Sequence, residues 1–244
     1  MDMIKKAFLG LLISISPIVE ASSSVGVVGA TSESVYKETS NRSTSLPNIG
    51  YQGDHFYLQL PEVGYRFLPR QSAQNVSVGI SYEGLSFDPS DSSNADIQQL
   101  DERDPSIMAF ASYQFGILST KVAQDISGKH DGYYAQVGVG YPIPIGSWRI
   151  IPSLSYRHMD SKMSNHLFGI SESESIRTGN AIAAYDSGAI SQIKYGVRAI
   201  YPLTPNANLI LGISQTKFDD DILKSPIVED NTVTAGSVGF IFSF

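Results

Sequence analysis

Between Tyr133 and Ile145 the chain alternates residue by residue. Tyr133, Ala135, Val137, Val139, Tyr141, Ile143 and Ile145 fall on one side, and Tyr134, Gln136, Gly138, Gly140, Pro142 and Pro144 on the other. Wound as a helix, the two sets would scatter around the axis, and interior prolines would break its hydrogen bonds. Extended as a strand, they separate completely. The pattern recurs. Trp148, Ile150, Pro152, Leu154 and Tyr156 oppose Arg149, Ser153, Ser155 and Arg157, with Pro152 marking a bulge. Ile193, Tyr195, Val197, Ala199, Tyr201 and Leu203 oppose Gln192, Lys194, Gly196 and Arg198. Ala207, Leu209, Leu211 and Ile213 oppose Asn206, Asn208, Gly212 and Ser214, and the chain ends on Val238, Phe240, Phe242 and Phe244 against Ser237, Gly239 and Ser243. From Ser24 onward no helical period of useful length competes with this alternation.

Weaker strands are expected at 24–36, 54–68, 74–85, 105–116 and 118–127, which makes ten. In the second of these the alternation slips between Leu60 and Val63, at Pro61. Twelve strands result if Pro61 breaks that segment or if a loop contributes a hairpin.

The connections sort by length. The links at 69–73, near Ile117, at Gly146-Ser147 and at Thr204-Pro205 are tight. The intervening ones, 37–53, 86–104, 160–186 and 217–232, are long, with one short Gly-Lys-His-Asp-Gly link among them. An up-and-down barrel with both termini in the periplasm puts tight turns on the inside and long loops on the outside. The expected fold is therefore an all-β, transmembrane, antiparallel barrel over residues 22–244, in the outer membrane of a Gram-negative bacterium. Aromatic spacing agrees. Tyr133 and Tyr141 are eight residues apart on the outward face, as are Trp148 and Tyr156. Eight residues rise roughly 26 Å along a strand, or about 20 Å along the axis of a tilted barrel, near the height of its apolar band. With Tyr201 and Phe244 they form a candidate aromatic girdle.

Composition enters as a set of exclusions. A mean hydropathy of −0.05 and 17% charged residues rule out a bundle of membrane helices. They leave a membrane barrel open, and on composition alone a soluble β-protein as well. A net charge of −7 gives no basic footprint for nucleic acid. The absence of cysteine removes disulfides, thiolate metal sites and lipid attachment through an N-terminal Cys. At the N-terminus Lys5 and Lys6 precede an apolar run, Ala7 to Ile15, then Pro17 and Val19-Glu20-Ala21. This is the layout of a secretory signal peptide, residues 1–21, cleaved after Ala21. The alternative is an N-terminal core helix.

The inward faces carry Arg66, Glu83, Lys121, Asp125, Arg149, Arg157, Lys194 and Arg198. In a confined lumen such charges need partners, so a lumen ion-pair network is expected. A selectivity filter for small solutes is the functional alternative. His158-Met159-Asp160-Ser161 raises the possibility of a lipid hydrolase on the outer wall. However, Ser161, three positions on, points to the opposite face of an extended strand, out of reach of the imidazole. Asp101-Glu102-Arg103-Asp104 and Asp219-Asp220-Asp221 fall at loop ends, as solvated charge or as bridges through divalent cations to lipopolysaccharide. His55, His130 and His166 have no ligand spacing, and no zinc-helix, phosphate-loop or dinucleotide motif occurs. No metal, cofactor or catalytic residue is expected.

The run Phe218-Asp219-Asp220-Asp221-Ile222-Leu223-Lys224-Ser225-Pro226-Ile227-Val228, followed by a last strand ending aromatic-x-Phe, resembles the MltA-interacting protein (MipA)/OmpV family. Members typically carry a Leu-x-x-Ser-Pro-Ile/Val-Val element just before the final strand. Leu167-Phe168-Gly169-Ile170 is similar to that family's Tyr-Phe-Gly-Val/Ile element, with Leu in place of Tyr. The resemblance implies an outer-membrane scaffolding protein, surrounded by lipid and lipopolysaccharide, holding a lytic murein transglycosylase near a murein synthase. It supplies no catalytic residues. The partner surface expected from topology is the periplasmic end, at turns such as 69–73 and 203–206. A small-solute channel is the second reading, and a lipid-modifying barrel enzyme the third.

Overall fold

The computed structural model describes residues 23–244; the expected signal peptide, 1–21, lies outside the described residues. One antiparallel sheet closes on itself. Its strands are β1 (Ser23–Ser32), β2 (Arg42–Gln52), β3 (Phe56–Gln59), β4 (Glu62–Arg66), β5 (Gln74–Glu83), β6 (Ser106–Phe115), β7 (Leu118–Asp125), β8 (Tyr133–Gly140), β9 (Ile143–Ile145), β10 (Trp148–Met159), β11 (Ile190–Thr204), β12 (Ala207–Phe218) and β13 (Thr232–Ser243). Neighbours in sequence are neighbours in space, and β13 pairs with β1 to close the ring. β8 and β9 both pair with β10 and are two halves of one wall strand, interrupted at Tyr141–Pro142. The wall therefore has twelve strands.

The two additional strands come from the break at Pro61 and from a loop that contributes a single strand rather than a hairpin. The segment 54–68 folds back at Leu60–Pro61 into the β3–β4 hairpin, with Gln59 opposite Glu62. Residues 42–52, which fall in a polar connection on sequence grounds, form β2 against the whole of β1. Ser43, Ser45 and Pro47 weaken the apolar alternation there, so pairing with β1 decides the conformation where propensity does not. Two of the two-residue turns, at Gly116-Ile117 and Gly146-Ser147, place their glycines at φ 54° and 59°. That left-handed geometry suits the twist of the flanking strands and favours glycine.

The wall is inside-out relative to a soluble protein. Val25, Ile213 and Phe240 are about half exposed or more on the outside, while Ser77, Ser81, Ser155 and Ser214 are buried within. The hydrophobic core sits instead at the loop end, where Tyr36, Phe87, Met163, Phe168, Ile222 and Ile227 pack together. It is built by the connections 33–41, 84–105, 160–189 and 219–231, which form a cap over the barrel mouth. Two short helices stand within it, contrary to the expectation of none: α1 (Ser161–Phe168) and α2 (Glu172–Arg177). Eight and six residues are too few for a 3.6-residue period to register. Their ends carry the local signal, since the Asp160 carboxylate accepts from Met163 N and Ser171 with Glu174 forms a capping box.

Candidate functional site

Beneath the cap the lumen holds a cavity of about 190 Å³. Arg157 donates to Glu83 (3.0 Å) and to Gln136 (2.9 Å), and lies 4.1 Å over the Tyr134 ring. Lys121 reaches Glu62 at 2.5 Å and sits 4.0 Å from the Phe110 ring centroid. Arg66 donates to Gln52 (2.7 Å) and stacks 4.1 Å over Tyr57, whose hydroxyl donates to Glu62 (2.7 Å). Lys194 and Arg198 occupy the inward face of β11, opposite Ser155 and Ile151, and Arg149 faces inward opposite Ile200.

Asp125 is placed differently. Its carboxylate accepts from the amides of Ser127, His130 and Asp131 at 2.8, 2.8 and 3.0 Å, and so organises the 126–132 connection rather than entering the lumen. Sequence reasoning missed Glu62, Tyr57 and Gln52. Gln52 fell within the 37–53 connection, and the slip at Pro61 hid which residues of 54–68 face inward; read as a hairpin, the same slip restores the parity of Tyr57 and Glu62. Among the described residues lining the cavity, four bases (Arg66, Lys121, Arg157, Lys194) face two carboxylates (Glu62, Glu83), an excess of positive charge.

The cap is held by the two segments that carry the family resemblance. Ser225 Oγ donates to Phe168 O (2.7 Å), Lys37 Nζ to Pro226 O (2.7 Å) and Tyr36 OH to Leu167 O (3.2 Å). Tyr36 also bridges Val228 in a short antiparallel contact. Beside them Arg103 pairs with Glu174 at 2.7 Å, both nearly buried, and donates to Gly169 O (3.0 Å). Burial alone would raise the Glu174 pKa; the amides of Ser171 and Asp101 together with Arg103 outweigh it and hold it below the usual carboxylate value. The acidic clusters at the loop ends are engaged: Asp101 with Arg177 (2.7 Å), Asp104 with Lys129 (2.5 Å) and Asp221 with Lys224 (2.6 Å).

His130 and His166 lie 5.4 Å apart between ring centroids, inside the cap. Burial depresses the pKa of both, although Asp125 near His130 and the Asp104 carbonyl at His166 oppose it. Among the described residues no group of three or more His, Asp or Glu side chains could hold a metal ion.

On the outer surface Tyr133, Tyr141, Tyr156 and Phe244 are exposed, whereas Trp148 and Tyr201 are half-buried against each other, 4.9 Å between centroids. His158 meets a different serine from the one beside it in sequence. Its Nδ1 is 3.1 Å from Ser191 Oγ on β11, which also contacts Tyr156 OH at 2.7 Å. Ser161 opens α1 instead.

Comparison with known proteins agrees with this architecture. The family model described as MltA-interacting protein MipA matches residues 25–244. The putative outer membrane protein YiaT of Escherichia coli is 30% identical over 213 residues, 85% of each chain. Outer membrane protein OmpV of Vibrio cholerae is 26% identical over 84% of this chain and 79% of its own. The MltA-interacting protein of Escherichia coli is 25% identical over the full length of both chains. A barrel with an apolar exterior, matched along its length by proteins named as outer-membrane proteins, is an outer-membrane protein, and the chain belongs to the MltA-interacting protein MipA family.

Proposed function

We propose that the barrel is a non-enzymatic scaffold, brought to the outer membrane by the leader 1–21 and embedded among its lipids and lipopolysaccharide. Through its turn end it holds a lytic murein transglycosylase beside a murein synthase. The observation that carries this reading is the cap. Phe87, Phe168, Ile222 and Ile227 fill the outer mouth with a packed apolar core, which suits a plug better than an open pore. Among the described residues the opposite end bears exposed connections such as 67–73 and 205–206, which on this reading face the murein layer. The name of the full-length relative, MltA-interacting protein, supports the partner.

Affinity purification from native outer membranes, with partners identified by mass, is expected to recover a lytic transglycosylase. Reversing charge at Arg70 in the 67–73 connection is expected to weaken that recovery. A barrel that comes out free of murein enzymes would remove the reading.

The basic excess in the lumen favours a second reading, a gated path for small anions. Planar-bilayer conductance whose anion preference falls on neutralising Arg157 and Lys194 would support it. A silent bilayer would dismiss it.

A further inference from the structure

The β3–β4 hairpin is too short to complete the wall. β2 pairs with β1 from Arg42 to Tyr51, but with β3 only at Gly50, Tyr51 and Gln52. At the hairpin tip Leu60 N donates to Ile49 O (3.1 Å) and Tyr82 N to Pro61 O (3.0 Å). Beyond the tip, toward the loop end, no strand among the described residues pairs with this side of β2, and β5 ends one residue later at Glu83. The wall rejoins at the cap, where Arg42 contacts Asp91 (2.9 Å) and Ser86 (3.5 Å), and Thr39 bridges Ser92. The result is a window with Leu60–Pro61 as its sill and Arg42 as its lintel. Ser43–Asn48 forms one side and Tyr82–Ser86 the other.

The rim has the chemistry of an opening. Ile49 directs its carbonyl at the hairpin, so strand alternation points the backbone polar groups of Ser43, Ser45 and Pro47 toward the window. Proline has no N–H and suits an unpaired edge. Ile49 on β2, Val27 on β1 and Ile80 on β5 are exposed on the outer face to either side of this gap, so the window faces the lipid band. Unpaired backbone at that depth is tolerated where it lines a cavity.

Beside Arg42 lies a small, largely apolar pocket walled by Val35, Leu85, Phe168, Phe218 and Val233, with Glu33, Arg42 and Ser86 among its polar lining. Leu85, Phe218 and Val233 also line the basic lumen cavity, so the two volumes share a wall. Arg42 Nε is buried and makes no hydrogen bond. Six residues of strand span about 20 Å. With a barrel strand's tilt near 40° that is about 15 Å along the axis, half of an apolar core roughly 30 Å thick. The window is one leaflet deep.

We propose that the window is a binding site for an amphiphile with one free-lying acyl chain and an anionic head, taken from the outer leaflet. The head sits at Arg42, level with the membrane surface. The chain runs down the window beside Leu46 and Leu85, with access to the apolar pocket. This site is independent of any murein partner at the turn end.

The test uses the folded protein in vesicles, with a diazirine-bearing palmitate and, separately, a diazirine-bearing phosphatidylglycerol, and maps cross-links by mass. Labelling is expected to be several-fold denser on 43–48 and 82–86 than on the equally exposed outer face of β12. Arg42→Gln and the window-filling Leu46→Trp should each reduce it several-fold, with heat-modifiable gel migration retained. If a variant fails to fold, the wild-type labelling pattern alone decides. Competition by oleate supports the single-chain ligand, whereas labelling by the phospholipid probe alone would overturn it. Even labelling around the belt would overturn the proposal. So would disulfide-linked dimers of Ser45→Cys, which carries the chain's sole cysteine, because a second copy would then occupy the edge.

Discussion

The hydroxyl of Ser225 donates to the carbonyl of Phe168 at 2.7 Å, joining the last loop to the end of α1 inside the cap. Both residues are buried, and they belong to the two short segments on which the sequence resemblance to the family rests. What those segments share is a mutual contact, made across 57 residues of chain.

Ser225→Ala leaves the Phe168 carbonyl buried without its partner, which costs about 1–3 kcal/mol. The loss should fall on the cap alone. Limited proteolysis is expected to cut faster within 160–189 and 219–231, while the heat-modifiable migration of the barrel stays unchanged.

Arg103→Ala strands Glu174 in the interior and is expected to destabilise the cap by about 3–5 kcal/mol. Hydrogen exchange at the α2 amides reads this directly. Adding Glu174→Gln should return part of the protection, since the orphaned charge is gone. Lys129→Ala removes an exposed partner of Asp104 and should leave exchange unaltered.

Acid should loosen the cap. His130 and His166 have depressed folded pKa values, so the unfolded cap binds protons more readily and stability falls as pH drops through about 6.5 toward the folded values. Glu174, a depressed carboxylate, contributes stability above about 4.5 that is lost as pH falls below it. Both signs agree. Protease sensitivity of the loops is expected to rise from pH 7 to pH 4, with the first step removed by His130→Gln/His166→Gln.

Trp148 is the only tryptophan and follows the Gly146-Ser147 turn, with its ring against Tyr201. A girdle residue at the turn end should be quenched more by lipids brominated near the glycerol than by lipids brominated near the chain terminus. The reverse order would place this end of β10 at the bilayer centre.

The alternation of single residues was enough to assign an inner and an outer face to most of the wall. Tyr133 to Ile145 shows why: side-chain direction in a strand is fixed by the peptide geometry of the strand itself, whatever it pairs with. Turn lengths likewise separated a tight-turn end of the barrel from a long-loop end. The reading failed where local signal and pairing disagree. Ser43, Ser45 and Pro47 look like loop residues, and only β1 makes them a strand.

The site depended still more on the whole ring. Arg157 meets Glu83 across 74 residues, His158 meets Ser191 across 33, and the window exists only because a hairpin stops short between two longer strands. Facing is a property of neighbouring residues, and the chain carried it alone. Which charge met which, how many strands closed the circle and where the wall stayed open were settled by closure, because each is a relation between segments that sequence distance does not encode.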